Sequence, residues 1–361
     1  MLAFLLAPFY LLFNLYLFRR IMGWVRAWFP WFRKRKHWAV PAALYAFFAL
    51  SFVLAFPLPA GRLKRALMLI GNYWLGVLLY LLLAVLLLGY GAWRLHTTPL
   101  ESDPRGGDSV AVLFAEGNID QNQKWVPYQR RTVETYLRLT RAELARHPGE
   151  TPLIVWPETA LPFNFDNNGI LSALVRNLAR QARSPLLTGV PGFQHDAAGN
   201  MQVFNRALLL DPSGGTAGHY DKEHLVPFGE YVPEWLNWNF LADLLQEVGV
   251  YTPGHSAAPL VHGDLRLGML ICYEAIFPWL AQARVEHGAN VLVDISNDGW
   301  FGRSPAALQH LYLASLRAVE QGRWLLRGTN TGISAIIDAR GRVTVRGGQF
   351  EEEALWGRFR L

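Results

Sequence analysis

The chain has 361 residues and is 52% hydrophobic with a mean hydropathy of +0.13, too apolar for an ordinary soluble enzyme, while its 17% charge is too high for a bare bundle of membrane helices. The net charge of +6 comes from the first hundred residues, which hold eleven Lys or Arg and no Asp or Glu; the remaining 261 carry 23 basic and 28 acidic side chains, leaving no broad cationic face for nucleic acid. One cysteine, Cys272, excludes an internal disulfide and any multi-cysteine zinc or iron–sulfur site.

Three stretches lack charge altogether: 1–18, 38–61 and 66–93. Each approaches or exceeds the ~20 residues that a helix needs to cross the hydrocarbon core, so a transmembrane region of about three helices is expected over 1–96. The first stretch has no basic residue ahead of its apolar run and no small-residue cleavage pattern after it, which favours a retained anchor over a signal peptide. Residues 19–37 mix seven basic side chains with Trp24, Trp28, Trp31 and Phe32, the composition of a segment lying in the headgroup layer.

Residues 97–108, rich in Pro, Gly, Ser and Asp, read as a linker, and an α/β domain is expected over 109–361. Strand-like runs occur at Val110–Ala115, Leu153–Trp156, Leu186–Val190, Arg206–Asp211, Arg266–Ile271, Val291–Ser296 and Gly332–Asp338. Helical patterns lie between several of them, at Gln129–His147, Leu171–Arg183, Trp279–His287 and Leu308–Gly322.

Three fragments carry chemistry. In LIVWPETALP a buried strand ends just before Glu158, where a carboxylate can serve as a base in a partly dry site; the acid of a helix N-terminus after Pro157 fits the same fragment. In HYDKEHLVPFGEYVP, Lys222 precedes a rigid, aromatic-lined segment that also holds Glu230, and can present an ammonium to a developing oxyanion; a solvated turn is the plain alternative. In LRLGMLICYEAIFP an apolar strand runs into Cys272 and a helical pattern follows. That places a thiol at a helix N-terminus, whose partial charge favours thiolate, whereas a buried small hydrophobe is the usual fate of a lone cysteine. Tyr273 and Glu274 beside the thiol argue against mere core packing. His224, beside Lys222 in its fragment, is assigned no role.

Glu, then Lys, then Cys, each at the end of a strand in the same α/β domain, resemble the nitrilase superfamily and, within it, the apolipoprotein N-acyltransferase family. The likeness extends from about Val110 to the C-terminus through EGNIDQNQKW, VWPETA, YDKEHLVPFGEYVP, ICYEAIFP, DISNDGWFG and QHLYLASLRAVEQGRWLLRGTNTG. The resemblance implies a four-layer α-β-β-α sandwich with Glu158 as general base, Lys222 as oxyanion stabiliser and Cys272 as nucleophile, supported by Trp125, Glu230, Tyr273 and Glu274. It implies transfer of an acyl chain from the sn-1 position of a phospholipid, typically phosphatidylethanolamine, through a Cys272 thioester to the N-terminal amine of a diacylglyceryl-cysteine lipoprotein. No metal or cofactor is required. Phe163, Phe165, Trp235, Leu236, Trp238 and Phe240 suit either a lid dipping toward the bilayer or core packing.

Members of that family usually carry about seven membrane helices before the catalytic domain and one after it, against three before and none after here. The family places the domain on the outer face of the bacterial inner membrane, whereas the seven basic residues between the first two spans favour the cytoplasmic side. Two other functions share these residues: a membrane-tethered amidase passing its acyl group to water, and a silent nitrilase-like binding module. The chain has no phosphate-loop, dinucleotide or H-E-x-x-H motif.

Overall fold

The protein is described by a computed structural model covering residues 10–22, 38–55, 57–97, 109–120, 128–231 and 251–361. The chain forms two compact units, Met1–Thr97 and Thr98–Leu361.

The first unit contains helices α1 (10–22), α2 (Ala39–Ala55) and α3 (Arg62–Thr97). Its polar anchor is the buried Asn14, whose Oδ1 accepts from Trp74 Nε1 at 3.0 Å and from the Tyr45 hydroxyl at 3.2 Å. The Tyr10 hydroxyl donates to the Ala49 carbonyl at 2.7 Å. Among the described residues one helix, Arg62–Trp93, is long and apolar enough to span a membrane. At 1.5 Å per residue its 32 residues reach about 48 Å, against ~30 Å of hydrocarbon. The second expected span is shortened. Helix α2 has 17 residues and ends at Ala55, ahead of Pro57 and Pro59, which cannot continue a helix. The third begins at Arg62, so its basic residues fall inside the helix rather than before it. Part of the first span (1–9), most of the headgroup segment (23–37) and residues 98–108 of the expected linker lie outside the described residues; Thr97 itself still belongs to α3.

The second unit is built from two six-stranded sheets. In chain order its elements are β1 (Ser109–Glu116), α4 (Gln129–Arg146), β2 (Leu153–Val155), α5 (Gly169–Ala182), β3 (Leu186–His195), β4 (Met201–Leu210), β5 (Thr216–Asp221), β6 (Leu260–His262), β7 (Leu265–Ile271), α6 (Pro278–Glu286), β8 (Val291–Ser296), α7 (Ala306–Gln321), β9 (Leu325–Thr329), β10 (Ala335–Ile337), β11 (Val343–Arg346) and β12 (Glu353–Arg360). Short 3-10 turns at Cys272–Ile276 and Asp298–Phe301 follow β7 and β8. The sheet orders are β12-β1-β2-β3-β4-β5 and β11-β10-β9-β8-β7-β6.

The layering follows from side-chain alternation along strands that are buried on both faces. Val112, Phe114, Leu153, Val155 and Leu187 of the first sheet meet Leu267, Met269, Ile271, Val291, Val293 and Ile295 of the second in one shared core. The intervening Ile154 and Leu186 point the other way, onto Val133, Leu137, Val175 and Leu178 of α4 and α5. Leu270, Leu292 and Leu325 likewise meet Leu280 of α6 and Leu311, Ala314 and Ala318 of α7. Helix, sheet, sheet and helix stack in the four-layer order that the resemblance implied.

Five strands escaped the sequence reading: β5, β6, β9, β11 and β12. Four of them are the edges of the two sheets, half-exposed and without an apolar run. The fifth, β9, is fully buried but carries Arg327 in LLRGT. Phe163 and Phe165, candidates for a lid, are buried in the core against α4 and α5, so packing is their role. The other lid candidates, Trp235, Leu236, Trp238 and Phe240, lie outside the described residues.

Candidate active site

The β2 strand delivers Glu158 through Trp156 and Pro157. Trp156 is fully buried, its indole donating to Thr140 Oγ1 at 3.0 Å. Thr159, immediately after Glu158, sits at φ +49°, a left-handed conformation that costs a β-branched residue about 1–3 kcal/mol. The turn rests on Gly189 of β3, where an added Cβ would lie 2.3 Å from the Thr159 nitrogen and 2.7 Å from the Glu158 Cα. A glycine is therefore required for the turn to approach the sheet.

Lys222 follows β5 and is tied at both ends of its backbone: its N–H donates to the Asn205 carbonyl at 2.9 Å and its carbonyl accepts from Gly254 N at 2.8 Å. The buried Nζ lies 2.9 Å from Glu230 Oε1 and 3.7 Å from Glu158 Oε1. Asn205 Nδ2 reaches both carboxylates, at 2.7 Å each. Glu230 Oε2 also accepts from Val226 N at 2.8 Å, which pins the loop that carries it. Burial alone would lower the Lys222 pKa, but Glu158, Cys272 and Glu230 outweigh it and hold the ammonium above its ordinary value.

Cys272 opens the 3-10 turn after β7 with φ +53°, again left-handed for a residue that carries a Cβ. Burial and then the neighbouring Glu158 push its thiol pKa up, while Lys222 pulls the other way without prevailing. Burial thus works against the thiolate that a helix N-terminus would favour. Nucleophilicity must then come from proton removal at the moment of attack.

Glu158, Lys222, Glu230, Cys272 and Tyr273 line one cleft of about 580 Å³. Its other walls include Phe228, Trp300, Phe301 and Leu313, all apolar and all exposed; Trp300 is 71% exposed. Glu274 is not at the cleft. It is buried behind Cys272, where its carboxylate accepts from Ile271 N (2.8 Å), Glu223 N (2.8 Å), His224 N (2.9 Å) and the Tyr220 hydroxyl (2.9 Å). Glu274 thus joins the Lys222 segment to the Cys272 turn. Burial raises its pKa, and the backbone donors only partly offset this. Trp125 lies outside the described residues.

The sequence reading missed Asn205, which carries no local signal on an ordinary strand, and the pair Tyr220 and Arg284. Arg284 Nη2 donates to the Tyr220 hydroxyl at 2.6 Å, which in turn donates to Glu274. It also passed over His310, while His224 was given no role. His310, on α7, lines the cleft and bonds the Cys272 backbone, whereas His224 lies among Tyr273, Phe277 and Trp279. Among the described residues no cluster of His, Cys, Asp and Glu could hold a metal ion.

This arrangement offers a carboxylate, a fixed cation and a thiol at one apolar-mouthed cleft, the equipment for acyl transfer through a covalent intermediate. The chain also resembles several known proteins. An apolipoprotein N-acyltransferase of Geobacter metallireducens is 42% identical over 286 residues, 79% of this chain and 53% of the relative. Those of Azotobacter vinelandii and Methylococcus capsulatus are 37% and 40% identical, each over 70% of this chain and 48% of the relative. The chain spans about half the length of the curated relatives it matches. Among solved structures, Saccharomyces cerevisiae Nit3, a member of the nitrilase superfamily, superposes with a TM-score of 0.54 at 18% identity, covering 70% of this chain and 90% of Nit3. A carbon-nitrogen hydrolase from Helicobacter pylori gives 0.51 at 18% identity, covering 70% and 89%. These likenesses concern the fold. The carbon-nitrogen hydrolase model matches residues 119–360, which include Glu158, Lys222 and Cys272 and both sheets except β1, and on that match the chain belongs to the carbon-nitrogen hydrolase family.

Proposed function

We propose that this protein transfers a fatty acyl chain from the sn-1 position of a phospholipid, phosphatidylethanolamine by preference, through a thioester on Cys272 to the N-terminal amine of a diacylglyceryl-cysteine lipoprotein. The observation that carries this reading is the cleft itself: a buried thiol beside Glu158 and Lys222, opening past exposed Phe228, Trp300, Phe301 and Leu313. Exposed apolar side chains at the mouth suit an acyl chain. The named relatives support the same substrate class.

In the first half-reaction Glu158 takes the thiol proton as Cys272 Sγ attacks the ester carbonyl carbon. The Lys222 ammonium, fixed by Glu230, stabilises the oxyanion. Collapse breaks the carbon–oxygen bond, and Glu158 returns its proton to the departing lysophospholipid hydroxyl, leaving a thioester. In the second half the lipoprotein amine attacks the thioester carbonyl, Glu158 takes the amine proton, and the carbon–sulfur bond breaks. The proton passes to Sγ and restores the thiol. Tyr273 helps shape the cleft, Glu274 fixes the Cys272 turn, and Trp125 is assigned a supporting place. Two products through one covalent intermediate give ping-pong kinetics.

The apolar N-terminal helices serve as a multi-pass anchor in the bacterial inner membrane, so both lipid substrates arrive by lateral diffusion. The catalytic unit is assigned to the outer face, where a lipoprotein acceptor is found, against the pull of the basic residues at 19–36. A topology reporter fused after Leu361 tests that placement.

The decisive experiment incubates the full chain with phosphatidylethanolamine labelled on the sn-1 chain, looks for label on Cys272, then adds a diacylated lipopeptide. Label that moves from Cys272 to the lipopeptide amine is the expected result. Label that passes only to water makes the protein a hydrolase. Label that never reaches the thiol leaves a binding module.

A further inference from the structure

The fragment SNDGWFG and helix α7 meet behind the nucleophile in a buried polar cluster that the acyl-transfer steps do not use. His310, 5% exposed on α7, places its Nε2 3.0 Å from the backbone carbonyl oxygen of Cys272. A carbonyl oxygen can only accept, so Nε2 carries the proton of this bond. The other ring nitrogen, Nδ1, lies 3.0 Å from Asp298 Oδ1 and 3.1 Å from Arg327 Nη2, and so has a partner whether or not it holds a proton. Arg327 also donates to Asp298 at 2.8 Å and to Asp294, while Ser296 Oγ donates to Asp298 at 2.9 Å. Arg327, Asp294 and Asp298 are buried to within 1%. The imidazole is clamped from behind by charges that have nowhere else to turn.

We propose that His310 is a positioning residue for the nucleophile, holding the Cys272 carbonyl through Nε2 so that the left-handed backbone at Cys272 persists and its thiol stays aimed into the cleft. The inference rests on the reading of Cys272 as the nucleophile, though not on the identity of donor or acceptor. Two physical consequences support it. A φ of +53° at a residue with a Cβ is unfavourable and must be held by its surroundings, and a hydrogen bond to that residue's own carbonyl is a direct way to hold it. The Cys272–Tyr273 peptide is also a single plane in which C=O and N–H point in opposite directions. The same bond therefore sets the direction of the Tyr273 N–H, which at the second position of the 3-10 turn has no partner earlier in that turn. Anchoring one carbonyl fixes both the sulfur and a backbone donor beside it.

The test exploits the shapes of two amides. In H310Q the side-chain amide nitrogen can take the place of Nε2 and keep the bond to Cys272, losing the Nδ1 contacts. In H310N the amide takes the place of Nδ1, keeping Asp298 and losing Cys272. With the full chain in detergent, a p-nitrophenyl acyl ester is mixed in excess and the first turnover is followed: the thiol gives up its proton, a thioester forms and p-nitrophenol is released and read optically. H310N is expected to slow this burst by about a hundredfold, with little change in the ester concentration for half-saturation, while H310Q stays within about threefold of wild type. A role confined to folding predicts instead that the two rates track the two melting temperatures. Equal rates, parallel losses or the reverse order would each overturn the proposal. Because the activated ester acylates the thiol whatever its natural donor, a failure of the lipid-transfer reading shows separately, in the labelled phosphatidylethanolamine experiment.

Discussion

Asn205 Nδ2 stands 2.7 Å from Glu158 Oε1, and the same nitrogen stands 2.7 Å from Glu230 Oε1, so one neutral amide holds apart two carboxylates that share a single lysine. Removing the amide leaves two acceptor oxygens facing each other across Lys222. N205A is expected to slow acylation of Cys272 by roughly 10- to 100-fold, and N205D, which adds a third carboxylate, by more. Burst rates with an activated ester measure both, and an N205D protein faster than N205A would count against this account of the site.

Gly189 is the seat of the Glu158 turn. In G189A the new methyl meets backbone rather than a movable side chain, so the turn must shift as a whole. Overpacking of this kind costs about 1–3 kcal/mol of stability, and a displacement near 1 Å at the base costs about a hundredfold in rate. Thermal melts and burst kinetics on the same preparation should show a modest stability loss beside a large activity loss.

Glu116, at the end of β1, has its pKa raised to about 8, chiefly by burial, although Ser334 N donates to its Oε1 at 3.0 Å. Its ordinary value is 4.5, so the folded protein binds the proton more tightly than the unfolded chain does. That contribution to stability is complete below about pH 4.5 and is lost as pH rises through about 8. The melting temperature should therefore fall across this window through Glu116. E116Q, neutral at every pH, should fall less steeply; melts at pH 5, 6.5 and 8 compare the two, and equal slopes would remove Glu116 as the cause.

Trp300 projects from the Asp298–Phe301 turn at the mouth of the cleft and is exposed. If the mouth receives an acyl chain, W300S loses apolar contact with long chains and little with short ones. The expected result is a rise of about tenfold in KM for a long-chain ester and a narrower preference for long over short chains. Initial rates over a series of chain lengths check it.

Much of the site is legible in the amino-acid sequence. Glu158, Lys222, Glu230, Cys272 and Tyr273 stand within short, specific motifs, and each lines the cleft. Glu274 is equally visible there, but its position is not: one residue after Tyr273 in the 3-10 turn, its side chain leaves the cleft and turns back to the backbone of Glu223 and His224. Asn205 carries no local mark, and His310, although it stands in the motif that begins QHLYLASLR, has nothing there to tie it to Cys272. Their importance comes from contacts spanning 47 residues to Glu158 and 38 residues to Cys272, and such contacts exist only after sheet register and helix packing are set.

Composition, periodicity and motif are local properties, and they suffice for the apolar N-terminal region, the alternation of buried strands with amphipathic helices, and most of the polar residues that line the cleft. How those residues divide their tasks depends on packing between distant segments. Edge strands such as β12, paired with β1 across most of the chain of this unit, lack the apolar run that would announce them, since half of each faces outward. The environment of the thiol is likewise beyond the motif. A helix N-terminus argues for thiolate, and the burial of Cys272 beside Glu158 pushes the other way.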